Sequence, residues 1–153
     1  MNGSRIECGS QLKPIVAQAH ESGDYRPLIE SIPYARTIGL EVQRLGNEVL
    51  FILPPKESNL GNPVLPALHG GVIGGFLELS ASLHLVLFQQ VTRIPRIVDF
   101  SLDYLRAAKL VPTYAECRVT RQGRRVANVM VSAWQKTRTE PIATARAHFL
   151  IED

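Results

Sequence analysis

At 153 residues the chain fits one domain with a core of its own, since a chain of this size buries about 70% of its unfolded surface. Its 45% hydrophobic and 20% charged residues exclude disorder as the main state, and no linker divides it. The net charge of +3, from 17 basic and 14 acidic side chains, suits a small anionic ligand and falls far short of the clustered basic face that nucleic-acid binding requires.

Residues 1–10 are polar, lack the basic start and apolar stretch of a secretory signal, and are expected to fray. Cys8 and Cys117 stand far apart and outside any CxxC pattern, which predicts reduced thiols and a cytoplasmic protein. Cys117 alternates with Ala115 and Val119 and reads as a core strand residue. Two short helices are predicted between Leu12 and Ile32, parted at Ser22-Gly23-Asp24. Leu12, Ile15, Val16 and Ala19 share one face, and Leu28, Ile29 and Ile32 the next. Pro33 stops the second helix, so residues 1–33 read as a helical extension and 34–153 as the main domain. The extension is expected to cover an end of the sheet or lean on a partner subunit.

From Leu40 to Leu53 the pattern gives two strands joined at Gly46-Asn47, a dipeptide that favours a tight hairpin. The second is apolar on both faces and so is expected to be central. Pro54-Pro55 ends it, and Lys56 to Asn62 reads as a surface loop. Pro63 and Pro66 hold the next stretch out of helix. His69-Gly70-Gly71 then opens an apolar run to Phe88 that holds one acidic residue, Glu78. This run predicts a helix of roughly 25 Å, apolar on nearly every face and therefore buried in the middle of the domain. It reads as a little short and too polar to span a membrane.

Four alternating stretches follow, near Ile97–Leu105, Tyr114–Arg121, Val126–Trp134 and Ile142–Ile151. In the first, Val98, Phe100, Leu102 and Tyr104 are expected on one face, with Asp99, Ser101 and Asp103 on the other. In the last, Ala143, Ala145, Ala147, Phe149 and Ile151 form an apolar side whose alanines leave room for a packed helix. Hairpin-like connections at Gln122-Gly123 and Thr139-Glu140-Pro141 predict a largely antiparallel sheet, giving one long helix against one curved sheet, an α+β layer architecture. Arg106 and Lys109 follow the first of these strands, and Arg121, Arg124 and Arg125 surround the Gly123 turn. Such arginines serve either as solvated strand ends or as phosphate contacts.

Glu78 carries the chemical question. A carboxylate in an apolar helix either lines a wet crevice, meets a basic side chain, or acts in catalysis, because unpaired burial costs several kcal/mol. Ser82 lies four residues on, on the same face, where its hydroxyl can bond the carboxylate or hold a water beside it. The N–H groups around Gly70 and Gly71 lack partners within the helix and lie at the positive end of its dipole, which favours a developing oxyanion. The alternative for these glycines is a tight turn needing positive φ. His69 alone reads as a cap or structural hydrogen bonder, and no second His or Cys falls at a metal-ligand spacing near it. Gly70 and Glu78 are eight residues apart, about 12 Å along one helix, too far to act on one carbonyl. Two copies about a twofold axis, with the glycine end of one facing Glu78 of the other, solve this and give two composite sites per dimer.

The His69-Gly70-Gly71 motif, an acidic residue nine positions after the histidine, and the strand Val98-Asp99-Phe100-Ser101-Leu102-Asp103-Tyr104-Leu105-Arg106 together resemble the hotdog-fold acyl-CoA thioesterases of the phenylacetate-degradation (PaaI-like) type. The resemblance covers roughly Ile32 to Ile151. It implies a hotdog fold, a long central helix wrapped by a curved, mainly antiparallel sheet, in a homodimer or homotetramer with sites at subunit interfaces. It implies an acyl-CoA substrate and no metal or cofactor. The Gly70 N–H, in the motif with His69 and Gly71, would polarise the thioester carbonyl. Glu78 would act as nucleophile or general base, and Ser82 would help place the attacking water. Arg106, Arg124 and Arg125 would meet the phosphates of CoA. Related enzymes carry Asn or Gln six residues before the histidine, where this chain has Pro63. Adjacent Asn62 would then supply the second oxyanion contact. A non-catalytic acyl-CoA or acyl-carrier binding module is the alternative, followed by a hotdog hydratase or dehydratase.

Overall fold

The computed structural model describes residues 8–89, 91 and 93–151. Expectations for residues 1–7 and for the Cys8 thiol lie outside them. Three helices open the described chain: α1 (Cys8–Ser22), α2 (Arg26–Glu30) and α3 (Pro33–Ile38). The first begins inside the stretch expected to fray. The third was not anticipated. Pro33, expected only to stop a helix, occupies the first turn of the next one, where its missing N–H costs nothing and its fixed φ suits helix geometry. Gly39, at φ 80°, closes α3 with its N–H on the carbonyls of Ala35 and Arg36.

Strands β1 (Glu41–Leu45) and β2 (Glu48–Leu53) form the expected hairpin, with Gly46 at φ 64° in its turn. The segment expected to be a plain loop carries more structure: a single 3-10 turn (Glu57–Asn59) and a small hairpin of β3 (Leu60–Asn62) with β4 (Ala67–Leu68). Asn59 explains the difference. Its side chain is buried, and Nδ2 donates to the Ile38 carbonyl at 2.8 Å, pinning the segment to the end of α3.

The long helix α4 (Gly70–Phe88) leads to β5 (Arg96–Tyr104), β6 (Thr113–Gln122), β7 (Val126–Trp134) and β8 (Ala143–Leu150). The six long strands make one antiparallel sheet in the order β1-β2-β6-β7-β8-β5. The second strand is internal but lies next to an edge, and β5 forms the other edge.

Packing explains the position of α4. Ala115, Ala133 and Ala143 stand in register across β6, β7 and β8, all fully buried, and Ala145, Ala147 and Ala127 continue the small-residue floor. Against this floor packs α4, whose Phe76, Leu77, Leu83 and Leu85 are each buried completely. Burying such a side chain is worth about 1.5–3 kcal/mol, so these contacts dominate the helix's placement. By length and composition α4 is apolar enough to cross a membrane, contrary to the expectation from its sequence. The sheet packed against it is what marks it as a core helix. At its far end the ring of His20 on α1 donates from Nε2 to the Leu87 carbonyl at 2.7 Å. One correction concerns β5. A bulge between Ile97 and Asp99 breaks the alternation, turning Val98 out of the apolar row to 57% exposure, while Tyr104 is 56% exposed.

Candidate active site

The start of α4 is organised by His69. It occupies the cap position in extended conformation, and its Nδ1 accepts the Gly71 N–H at 2.9 Å, so a neutral ring carries its proton on Nε2. Its own carbonyl takes the N–H groups of Val72 and Ile73, and its N–H reaches the Asn59 carbonyl at 2.9 Å. Among the described residues the Gly70 N–H has no acceptor. Of the two glycines expected to offer donors, Gly71 is therefore committed to the cap and Gly70 is available.

The glycines serve close packing rather than turn geometry. Among the described glycines only Gly23, Gly39 and Gly46 have positive φ. A Cβ on Gly70 would lie 3.0 Å from the Tyr104 hydroxyl, and one on Gly75 would lie 2.5 Å from the Tyr34 ring. Tyr104, which the sequence marks only as an alternating strand residue, donates its hydroxyl to the Gly70 carbonyl at 2.6 Å.

Glu78 follows two turns later, partly buried. Burial pushes its carboxyl above the ordinary glutamate value, and no charged side chain contributes to that shift. It has no hydrogen-bond or ion-pair partner among the described residues, so no basic side chain among them neutralises it. Ser82 is 5% exposed, and its Oγ has no partner, so it does not bond the carboxylate directly. Neighbouring Ser80 instead bonds back to the Phe76 carbonyl at 2.7 Å. Gly71, Gly75, Glu78 and Ser82 fall at helix spacings of four, three and four, so they form one lane along α4.

Asn62 has a task of its own. Its Oδ1 accepts the N–H groups of Val64 at 2.9 Å and Leu65 at 3.3 Å, closing the turn around Pro63, and only its amide N–H groups remain to be offered. The three arginines are exposed and lie at opposite ends of α4. Arg106 follows the Tyr104 end and donates to the Pro141 carbonyl at 2.7 Å. Arg124 lies beside Phe88 and Gln89, and the Arg125 carbonyl takes the Ile151 N–H. One subunit therefore does not bring all three together.

His148 Nδ1 lies 3.6 Å from Asp99 across β8 and β5, and His84 packs on Phe88 with ring centroids 5.2 Å apart. Among the described residues no cluster of three His, Cys, Asp or Glu side chains could hold a metal. An open cleft of ≈ 590 Å³ lies between α2 and β1, lined by Tyr25, Ile29 and Val42, away from the Glu78 lane.

Comparison with known proteins settles the lineage. A family model described as the thioesterase superfamily matches residues 65–142, just over half of the chain. The chain belongs to the thioesterase superfamily. A Chromobacterium violaceum protein is 40% identical, with 90% of this chain and 96% of that one covered and a TM-score of 0.73. A phenylacetic acid degradation-related protein from Ralstonia eutropha JMP134 shares the fold at 21% identity, with 83% and 98% covered and a TM-score of 0.69. So does a Bacillus halodurans protein solved with CoA, at 13% identity, 99% and 97% coverage and a TM-score of 0.72. No curated protein matches the sequence. Both the hotdog architecture and the thioesterase relationship expected from the His69 motif are thus present in this superfamily member.

Proposed function

We propose that this protein hydrolyses an acyl-CoA thioester to a free acid and CoA, in a homodimer or homotetramer whose sites lie between subunits. The observation that carries this is the pairing on α4 of an unused N–H at Gly70 with an unpaired, half-buried carboxylate at Glu78, eight residues away. Neither group alone makes a hydrolase. Because about 12 Å of helix separates them, each works with its counterpart on a second copy. The free edge of β5, with Val98, Tyr104 and Leu105 exposed, supports pairing with that copy.

In the general-base route Glu78 takes a proton from water as the water oxygen bonds to the carbonyl carbon. The Gly70 N–H of the other copy receives the developing oxyanion, and collapse of the tetrahedral intermediate breaks the C–S bond and expels CoA thiolate. In the nucleophilic route Glu78 attacks first and an anhydride is then hydrolysed. Both need the ionised carboxylate. Arg106, Arg124 and Arg125 are drawn to the CoA phosphates, and their separation within one chain fits contributions from two subunits. We place the enzyme in the cytoplasm, because its two cysteines stand outside any CxxC pattern and suit a reducing compartment.

The deciding experiment measures free thiol release over short, long and aromatic acyl-CoA esters, with Glu78→Gln as the control. Turnover lost in the variant supports the reading. Binding of the esters without thiol release from the native protein would overturn it in favour of a non-catalytic acyl-CoA binding module. The replacement of a side-chain donor by Pro63, and the commitment of Asn62 Oδ1 to its turn, favour that second reading. The commitment of His69 to capping argues against a hydratase that would use it as a proton carrier.

A further inference from the structure

Tyr34 lies outside the motif, thirty-five residues before His69, yet it touches the lane that holds Glu78. It is the second residue of α3, a short helix braced on three sides. Ala35 and Ile38 are buried, Gly39 closes its last turn, and Asn59 Nδ2 holds the Ile38 carbonyl. The ring is therefore presented from a fixed support. It leans on α4 so closely that a Cβ at Gly75 would stand 2.5 Å from Cε1, 2.7 Å from the hydroxyl and 3.0 Å from Cζ. The hydroxyl end, not the ring face, thus lies along the helix. At 44% exposure the residue still faces solvent, and its hydroxyl has no partner among the described residues.

Gly75 precedes Glu78 by three positions, and residues so spaced have Cβ positions about 5–6 Å apart. A glutamate side chain plus one water spans the remaining gap to a hydroxyl resting on Gly75. Ser82 Oγ, buried and unpartnered, bounds the lane one turn beyond Glu78. Three polar groups without protein partners, from Tyr34, Glu78 and Ser82, thus lie along one stretch of α4. The arrangement suits a shared water, because a buried hydroxyl and an unpaired carboxylate otherwise lose hydrogen bonds.

We propose that the Tyr34 hydroxyl donates to a water also held by Glu78, and so positions the nucleophile for thioester hydrolysis. This rests on the thioesterase reading above, in its general-base form. The phenol keeps its proton throughout. It donates to one lone pair of the water while the other attacks the carbonyl carbon, Glu78 takes the water's proton, and the broken C–S bond leaves as CoA thiolate. Gly75 is the residue that makes this approach possible.

The test is Tyr34→Phe in the full-length protein, with Tyr34→Ala beside it. The phenyl ring keeps its packing on Gly75, and the hydroxyl has no protein bond to lose, so the thermal midpoint should not move. The expected result is a kcat about tenfold lower with KM held within about twofold. In addition, ¹³C NMR of the Glu78 carboxyl should show its titration moving upward in Tyr34→Phe, because the water that donates to the charged form has lost the group that holds it in place. If the native protein hydrolyses esters while Tyr34→Phe keeps native kcat and Tyr34→Ala loses it, the ring acts by packing alone and the proposal falls. If the native protein hydrolyses no ester, the thioesterase reading fails by itself. The carboxyl titration then decides this one: an upward shift upholds the link to Glu78, and an unchanged titration overturns it.

Discussion

The hydroxyl of Tyr104 donates to the carbonyl of Gly70 at 2.6 Å, tying edge strand β5 to the first turn of α4. The bond fixes the peptide that follows Gly70 and, through the residue's backbone, the direction of its unused N–H. Tyr104→Phe should lower stability by about 0.5–1.5 kcal/mol, the usual net worth of such a bond. It should also reduce kcat more than it raises KM. Steady-state kinetics beside a denaturant melt checks both, and a native kcat would show that the first turn holds its aim without Tyr104.

Glu78 gives the pH dependence its sign. Its carboxyl is raised by burial, so activity that needs the carboxylate should fall as pH drops through that raised value, at a higher pH than an ordinary glutamate would give. Stability runs the opposite way. A raised folded-state value means that the folded protein binds the proton more tightly, so the stabilisation is complete below the unfolded-state value and is lost as pH rises through the folded one. Glu78→Gln should therefore melt above the native protein at neutral pH, with the gap closing in acid, while its turnover falls by at least about a hundredfold. Melting curves across pH for both proteins provide the check.

Asn62 permits a clean separation of roles. Asn62→Asp keeps an oxygen that can accept the Val64 and Leu65 N–H groups but removes the amide donor. If closing the turn is the residue's main task, kcat should stay within about threefold of native, since the accepted bonds persist. A loss of tenfold or more would instead return Asn62 to the oxyanion site.

The alanine floor is the most sensitive point for stability. Ala147 is fully buried on β8, between Val129 on β7 and Phe100 on β5 in the sheet register. Ala147→Leu should cost about 1–3 kcal/mol by overpacking the space that α4 fills. Denaturant unfolding of the purified variant measures it, and a neutral result would mean that the hollow has spare volume.

Much of this molecule is legible in its sequence because the relevant signals are local. The Gly46-Asn47 hairpin, the alternating strands and the apolar run ending at Phe88 each announce their own period. The His69 motif and Glu78 share one helix, so their spacing alone puts about 12 Å between Gly70 and Glu78 along its axis. What stayed hidden depends on contacts between distant segments. Asn59 orders its segment through a carbonyl 21 residues away, and Tyr104 reaches Gly70 across 34. The bulge at Val98 leaves no composition signal, and strict alternation misplaced that residue. The capping role of His69 is legible in the sequence, but the choice of the Gly71 N–H over that of Gly70 is not.

The glycines of α4 also bear on the order in which the chain folds. Four of its first six residues are glycine, at 70, 71, 74 and 75, and each costs about 0.8–1.0 kcal/mol of helix propensity relative to alanine. That half of the helix has little tendency to form alone, whereas the leucine-rich half from Phe76 onward does. Winding should therefore begin near the Leu83 end and reach Gly70 only after Tyr104 and Tyr34 have been delivered by later and earlier segments. Amides in the first two turns should exchange with solvent sooner than those of the last three, so that the end bearing the free N–H is the last part of the helix to form and the first to open.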